Sequence, residues 1–478
     1  SRSRRFFKKQ VEPNIQRIAP IAFEEGEVAE LNDLYQVNLD STVWNTYAKA
    51  DVYGSLIQPP RELVDLASSA EDTEDEITLA DSLLRECADE VFAQTRYLAR
   101  KYTAVVANPP YMGAKNMSAE LKQFVQDHYE DGKADLFAAF ILRNRQFIQH
   151  GAMLGMITMQ SWMFLSSFEA LRRKLLDSSS IETMAHLGAG AFDSIGGEVV
   201  STVAFTLQNG SNNEKGVYVR LVDVSGDKNQ ANACIEAAQA DVDYRFEVDQ
   251  HEFVQIPGSP IVYWLPRTLI QVFNRKIAKG VSGDALSDIC DVAKGITTGD
   301  NARFLRAWYE ASYDLIDFNR RTLNESQKGR WVPCDKGGEF RRWYGNNGII
   351  VDWKDNGNYL FNFPRATPRN RDITFIPQIA CTYISNTIAF RYHSHGFSIN
   401  GAAVAISGSI DLFSLICFMN SSAAATLMAA MSPTTNFEVG QLGALPFRGL
   451  LGGASIAEKM ITTSKLDWDS FETSWDFQ

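Results

Sequence analysis

The sequence predicts a doubly wound α/β sheet followed by a second, mixed α/β domain, and three observations carry that expectation. Between residues 77 and 207, short apolar runs of strand length alternate with longer stretches at helical spacing. Three prolines, Pro257, Pro260 and Pro266, then interrupt the pattern. A chain of 478 residues is also long enough to bury more than one core. The expected division is 1–256 for the sheet domain, 257–268 for a linker and 269–478 for the second domain.

In chain order, the opening SRSRRFFKKQ reads as the end of a basic helix. Pro13 to Phe23 can supply a strand, and Glu24 to Glu30 a helix. Glu71 to Glu76 is an acidic, solvated stretch. Ile77 to Arg100 has helical spacing through Leu79, Leu83, Leu84, Cys87, Val91 and Leu98. A buried strand follows at Tyr102 to Ala107, and Asn108-Pro109-Pro110-Tyr111 ends it, because two prolines remove two backbone donors and fix φ. Ser118 caps a helix to Tyr129, and Asp135 to Gln149 reads as an amphipathic helix. Met153 to Met159 is a buried strand and Phe168 to Leu176 a helix. Ile181 to Leu187 and Val199 to Leu207 read as two more strands, and Asp227 to Asp241 as a helix. Leu269 to Ile277 opens the second domain.

In an open α/β sheet, ligands bind at the carboxyl ends of strands, so the Asn108–Tyr111 loop stands at a functional edge. Its groups suit one chemistry. The exocyclic amine of adenine is a poor nucleophile because its lone pair is delocalised into the ring. Acceptors on both of its N–H bonds would localise that pair. The Asn108 side-chain oxygen and the Pro109 carbonyl can supply them, and proline brings no competing donor. The Tyr111 ring can stack on a base turned out of the duplex. As a bare tetrapeptide the loop could equally just close a strand.

Composition narrows the class. The six cysteines are scattered without a C-x-x-C pair, which suits reduced thiols in a cytoplasmic protein rather than a disulfide framework or zinc site. No membrane-spanning run or signal peptide is apparent. His393-Ser394-His395 lacks a companion ligand at metal spacing, so no metal is expected. The net charge of −12 argues against a general DNA coat. The charge is uneven, however: residues 1–100 hold 11 Lys+Arg against 19 Asp+Glu, and residues 319–371 hold 11 against 5. A basic segment on an acidic chain fits a DNA groove confined to one face.

The candidate DNA contacts lie there and just upstream. Thr298, Asn301 and Arg303 belong to a Thr-Gly-Asp-Asn turn. Arg330, Lys336, Arg341 and Arg342 are interleaved with tryptophans, and Arg365, Arg369 and Arg371 follow in a proline-containing loop. Cations between aromatics suit phosphate contact and stacking, and a structural turn is the alternative for the first group.

Several of these stretches occur together and in order in a known family. Asn108-Pro109-Pro110-Tyr111, Lys133 to Phe140 (KADLFAAF), Gly151 to Gln160 with Ser161-Trp162, and Leu171-Arg172 resemble the amino-group DNA methyltransferases. Tyr53-Gly54-Ser55-Leu56-Ile57 and Ser432 to Leu445 resemble, more narrowly, the PglX adenine methyltransferases of BREX phage-defence systems, with Ser432 where that family carries Asn. The resemblance implies a Rossmann-like class I methyltransferase sheet followed by a mixed α/β target-recognition domain. It implies S-adenosylmethionine as cofactor, double-stranded DNA and other BREX proteins as partners, and adenine-N6 methylation as the activity. Asn108, Pro109, Pro110 and Tyr111 would be the catalytic loop. Phe192 would be a second ring on the base, with a core aromatic as the alternative, and Asp51 a cofactor contact, with a surface carboxylate as the alternative.

One part of that pattern is missing. No glycine-rich cofactor loop follows an early strand, and Gly188-Ala189-Gly190 comes too late. The first strands and that loop are therefore expected ahead of residue 1. Two other classes stay open: a DNA-binding specificity subunit with little activity of its own, and an RNA or protein amino-group methyltransferase, since Asn-Pro-Pro-Tyr also serves glutamine methylation. No nuclease pattern stands out.

Overall fold

The computed structural model describes residues 13–70, 79–189, 200–210, 214–273, 284–385, 387–431, 437–449 and 452–477. The chain divides into two units. The first takes residues up to Trp162 together with Ala170–Asp249, and the second takes Met163–Glu169 and the chain from Gln250.

The first unit opens with a helical cluster. Helices α1 (Glu25–Leu34), α2 (Arg61–Ser69) and α3 (Leu79–Ala99) enclose the fully buried Trp44, Tyr47, Leu63 and Phe92. Each such side chain contributes roughly 1.5–3 kcal/mol by leaving water. Pro13 to Phe23 is not the strand its composition suggests but an extended segment without a strand partner. Pro13 and Pro20 cannot donate to a ladder, and the neighbouring donors are taken elsewhere. The Ala19 N–H donates to Gln94 Oε1, the Ile21 N–H to the Tyr47 carbonyl and the Phe23 N–H to Asn45 Oδ1. Ile18, Ile21 and Phe23 are thereby laid on the helices, while Ile15 stays exposed.

The sheet has six strands. These are β1 (Tyr102–Ala107), β2 (Ile148–Met159), β3 (Ser179–Gly188), β4 (Thr202–Asn209), β5 (Gly216–Arg220) and β6 (Arg245–Val248), in the order β1-β2-β4-β3-β5-β6. β1 runs parallel to β2 and β3 parallel to β5, whereas β4 is antiparallel to both its neighbours. The helices between them are α4 (Ala119–His128), α5 (Leu136–Phe147), α6 (Glu169–Ser178) and α7 (Asp227–Gln239).

Helix α5 is not amphipathic as expected but buried on most sides, with Phe137, Ala138, Ala139 and Ile141 wholly inside. It touches β1, β2 and the turn at Gly54–Leu56 at once. Its only cation within the core, Arg143, explains the Tyr53–Ile57 stretch. Arg143 donates to the carbonyls of Ser55, Ile57 and Leu98, and the Tyr129 hydroxyl donates to that of Leu56. Gly132 lets the preceding turn approach, because a Cβ there would stand 2.7 Å from the Ala139 nitrogen.

Among the described residues one face of the sheet is covered, and the other is covered only in part, by α7. Leu154, Met156, Met184 and Phe205 point to the buried side. On the opposite side Val106, Ile157, Ala185, Thr206 and Val219 line an open hollow of about 740 Å³. β1 is the edge strand, and Val106 on it is 85% exposed.

The second unit holds two four-stranded sheets. One has the order β13-β9-β10-β8, from β8 (Leu305–Ala307), β9 (Trp331–Asp335), β10 (Ile349–Asp352) and β13 (Ser398–Ile399). The other has the order β12-β11-β14-β7, from β7 (Asp291–Lys294), β11 (Gln378–Thr382), β12 (Phe390–His393) and β14 (Ala403–Ser407). Helices α8 (Leu412–Met419), α9 (Ser422–Met431) and α10 (Gly453–Asp469) complete it. No single helix among the described residues is long and apolar enough to cross a membrane.

The two sheets are joined by a buried charge cluster. Asp335 ends β9, and its carboxylate accepts from Arg391 Nη2 at 3.0 and 3.1 Å, from His393 Nε2 at 2.7 Å and from the Gly337 N–H at 2.6 Å. All three side chains are at most 1% exposed. Burial alone would raise the acid, but Arg391 and His393 hold it well below the usual carboxylate range. Its stabilisation is therefore complete above the unfolded carboxyl's range and disappears as the pH falls below that. Arg391→Met should lower stability by roughly 3–5 kcal/mol in urea titration, since it strands the buried Asp335 charge. Removal of both charges together should be far less damaging.

Candidate functional site

The site is built where β1 ends. Asn108 is exposed, Pro109 buried and Tyr111 half-buried. The Tyr111 hydroxyl stands 3.4 Å from both Asn108 Oδ1 and the Ile157 carbonyl oxygen, with one hydrogen to share between them. Its ring meets Phe137 of α5 edge-on, with centroids 6.3 Å apart at 87°. Burial raises the Tyr111 phenol, so the ring stays neutral.

A single carboxylate gives this loop its shape. Asp135 is the N-cap of α5 and accepts from the Phe137 N–H at 3.4 Å. The same oxygen accepts from the Met112 N–H at 3.0 Å, one residue past Tyr111. Around it the Leu136 N–H donates to the Met112 carbonyl and the Ala114 N–H to the Ala134 carbonyl. Loop and helix start are therefore one hydrogen-bonded body. Burial raises the Asp135 acid, and the backbone N–H groups of Met112, Phe137 and Leu136 oppose that. The sequence shows Asp135 only as a cap before an apolar run. Its bond to the Met112 backbone, 23 residues away, has no sequence signal.

A second polar pair stands at the same edge of the sheet. Gln160 leaves β2, and its Oε1 lies 2.7 Å from Nε2 of His186 on β3. His186 is 5% exposed, and burial, with Arg220 next, pushes its imidazole down to about 4. Sequence reading missed this pair, because strand register rather than spacing brings it together.

Of the other expected residues here, Asp51 is exposed in the first turn of the short helix Ala50–Tyr53. Phe192 lies outside the described residues.

In the second unit the structure brings two of the three basic segments together. The Thr297 and Thr367 backbones exchange N–H donors, at 3.2 and 2.8 Å, tying the Thr298–Arg303 turn to the Arg365–Arg371 loop. Gly299 has φ +71°, and a Cβ there would stand 2.3 Å from the Arg365 carbonyl oxygen. Thr298 is buried and donates to Asn301 Oδ1 at 2.7 Å, so it shapes the turn. Arg303 donates to the Tyr359 hydroxyl at 2.9 and 2.6 Å and lies over the Tyr359 and Phe363 rings. Arg371 covers Phe361 at 3.9 Å, and Arg365 lies 3.5 Å from Asp300. Arg330 pairs with Asp352 at 2.7 Å. Arg369 is exposed.

This is a platform of cations on aromatic rings, with the charged ends open to solvent. Lys336 is exposed on its own turn, while Arg341 meets Asp467 and Trp468 of α10, and Arg342 covers Phe340. His393, the first residue of the His-Ser-His stretch, is spent on Asp335.

The chain resembles known proteins in sequence and in fold. The family described as Eco57I restriction-modification methylase matches residues 32–192. The chain is 32% identical over 506 aligned residues to the adenine-specific methyltransferase PglX of Lacticaseibacillus casei (strain Zhang), which covers 99% of this chain and 41% of that protein. It is 35% identical over 468 residues to the adenine-specific methyltransferase BrxX of Escherichia coli O9:H4 (strain HS), covering 95% and 37%. The chain thus spans about two fifths of the length of these relatives. Among solved structures, the Type IIL restriction-modification enzyme MmeI in complex with DNA superposes with a TM-score of 0.50 at 12% identity, over 78% of this chain and 50% of that one. That is a likeness of fold.

Two measurements check the site. Asp135→Ala should cost roughly 1–2 kcal/mol, the usual loss of a cap, and should speed amide exchange at Met112 as well as at Phe137. His186 should make stability pH-dependent. Its stabilisation is complete above about pH 6.5 and should fall by up to about 3 kcal/mol as pH drops towards 4, while His186→Gln should be flat across that window.

Proposed function

On the premise that this chain is kin to the PglX and BrxX adenine-specific methyltransferases along nearly its whole length, we propose that it forms the base-binding and DNA-reading parts of an adenine-N6 DNA methyltransferase. Its role would be to mark host DNA in a BREX phage-defence system. The observation that carries the reading is the Asn108–Tyr111 loop, held at the carboxyl edge of the sheet by Asp135.

The chain's own residues account for the handling of the amine. A target adenine turned out of the duplex stacks on Tyr111. Its two amine hydrogens face Asn108 Oδ1 and the Pro109 carbonyl, and the nitrogen lone pair is thereby directed out of the ring plane. The long Tyr111–Asn108 contact, at 3.4 Å, gives way to these shorter bonds. S-adenosylmethionine, when bound, supplies an electrophilic methyl group at its sulfonium. No covalent intermediate with the protein is required, so position and orientation supply much of the acceleration.

The fit to that cofactor is partial. The bare edge of β1 and the apolar hollow beside Asn108 form a surface on which further strands and helices can close. Among the described residues no glycine-rich loop opens a helix at that edge. Asn108 is the residue here that would flank the cofactor, with Asp51 a second candidate.

The platform of Arg303, Arg330, Arg365, Arg369 and Arg371 suits the phosphate backbone of duplex DNA. Cations braced on rings lose little freedom on binding, and Arg is the commonest phosphate and guanine contact.

The first test is methylation-sensitive sequencing of DNA from cells carrying the full-length protein or its Asn108→Ala variant. N6-methyladenine should appear at one short motif with the wild type and vanish with the variant, while duplex affinity stays within about twofold. Modified adenine in neither strain would overturn the reading. For the platform, Arg369→Ala should weaken binding to all duplex sequences alike and reduce the salt dependence of the affinity by about one counterion.

A further inference from the structure

The Gln160–His186 pair sits beside the catalytic loop, yet the chemistry above does not use it. Register fixes its place. Ala107 of β1 pairs with Met156 of β2, so Asn108 is level with Ile157, whose carbonyl the Tyr111 hydroxyl approaches. Gln160 follows three residues later, at most roughly 10 Å farther along an extended strand. It opens the turn Gln160–Met163, and its N–H donates to the Ser201 carbonyl at 2.9 Å. Its backbone is therefore fixed at the edge from which Asn108 also projects.

The side chain is fixed too. An amide oxygen can only accept, so the 2.7 Å contact places a hydrogen on His186 Nε2. His186 in turn is held by its strand. The Leu221 N–H donates to its carbonyl at 2.9 Å, and β3 bulges between His186 and Gly188, a device that re-aims side chains near sites. Burial keeps the imidazole neutral at physiological pH, so the ring carries a single hydrogen.

With its oxygen engaged, the Gln160 amide turns its two N–H donors away from His186. They have no partner among the described residues, and the side chain is only half-buried. A donor pair at the sheet edge from which Asn108 projects would match the bare ring nitrogens on either side of the amine-bearing carbon.

We propose that Gln160, oriented by His186, donates an amide N–H to one of those two ring nitrogens, N1 or N7, and so selects adenine in the pocket. Gln160 is then a base-reading residue, and His186 a positioning residue that acts through it. The inference rests on the methyltransferase reading above. It adds a contact to the ring, separate from the contacts to the amine.

The test uses the full-length protein on duplexes carrying its own methylation motif. Gln160→Glu keeps the size and the acceptor for His186 but removes the donors. It should lower kcat/KM by about 10- to 100-fold, as expected when one buried hydrogen bond is lost, and mostly through KM. Binding of a duplex lacking the target base should be unchanged, which excludes a folding defect.

The deciding measurement replaces the target adenine with analogues in which N1 or N7 becomes C–H. The wild type should lose activity on one of the two by a similar factor, and Gln160→Glu should not distinguish that analogue from adenine. A fluorescent purine at the target position should show less unstacked base in the variant. Unchanged kcat/KM in Gln160→Glu would overturn the proposal. So would equal additional loss on both analogues, which would mean a structural role. Absence of any transfer by the wild type would bring down the parent reading, and this one with it.

Discussion

The site depends on one carboxylate taken out of water. Asp135 gives a single oxygen both to the N-terminus of α5 and to the Met112 backbone, so the loop after β1 cannot move without the helix. Asn108 and Tyr111 stand on a loop with two prolines, and the bond from Met112 to Asp135 fixes the backbone that follows them. Helix α5 is locked in turn by burial on most sides and by Arg143, which binds three carbonyls from two other segments. The loop's rigidity is thus borrowed from a helix buried on most sides.

The second unit uses the same kind of group to a different end. Asp135 faces only backbone donors, and burial wins, so its acid is raised. Asp335 faces the Arg391 guanidinium and a hydrogen bond to His393, and together these outweigh burial, so its acid is lowered. The first arrangement positions a loop and tolerates a proton. The second joins two sheets and fails when either partner is lost. Asp335 is the more deeply buried of the two, yet its acid is the one lowered, so the partner decides the outcome.

Local features were legible in the sequence and long-range ones were not. The strand Tyr102–Ala107 has the bounds that its apolar run and the following prolines dictate. Ser118 caps α4 through the Leu121 N–H, as its position before an apolar pattern implies. The extended Pro13–Phe23 segment misled, because its apolar spacing serves a helical cluster and not a ladder. Helix α5 was read as amphipathic because Arg143 and Arg145 look like a polar face, whereas Arg143 is buried on backbone carbonyls. Gln160 and His186 meet only through the register of β2, β4 and β3, and Asp335 meets Arg391 and His393 across more than fifty residues. No local signal encodes such pairs. The arginines were visible, but their ring and carboxylate partners were not.

The asymmetry of the sheet bears on how the chemistry is divided. Methyl transfer needs one surface to hold the amine and another to hold the methyl donor, with the two aligned. On the proposed reading, the Asn108–Tyr111 loop, the Asp135 cap and α5 would form the first surface. Among the described residues β1 presents an unpaired edge, with Val106 almost fully in water. A strand edge with free donors and acceptors, next to a partly covered apolar face, is a costly surface to leave open. On the reading proposed above, that edge would stand at the reaction site, since β1 carries Asn108 at its end.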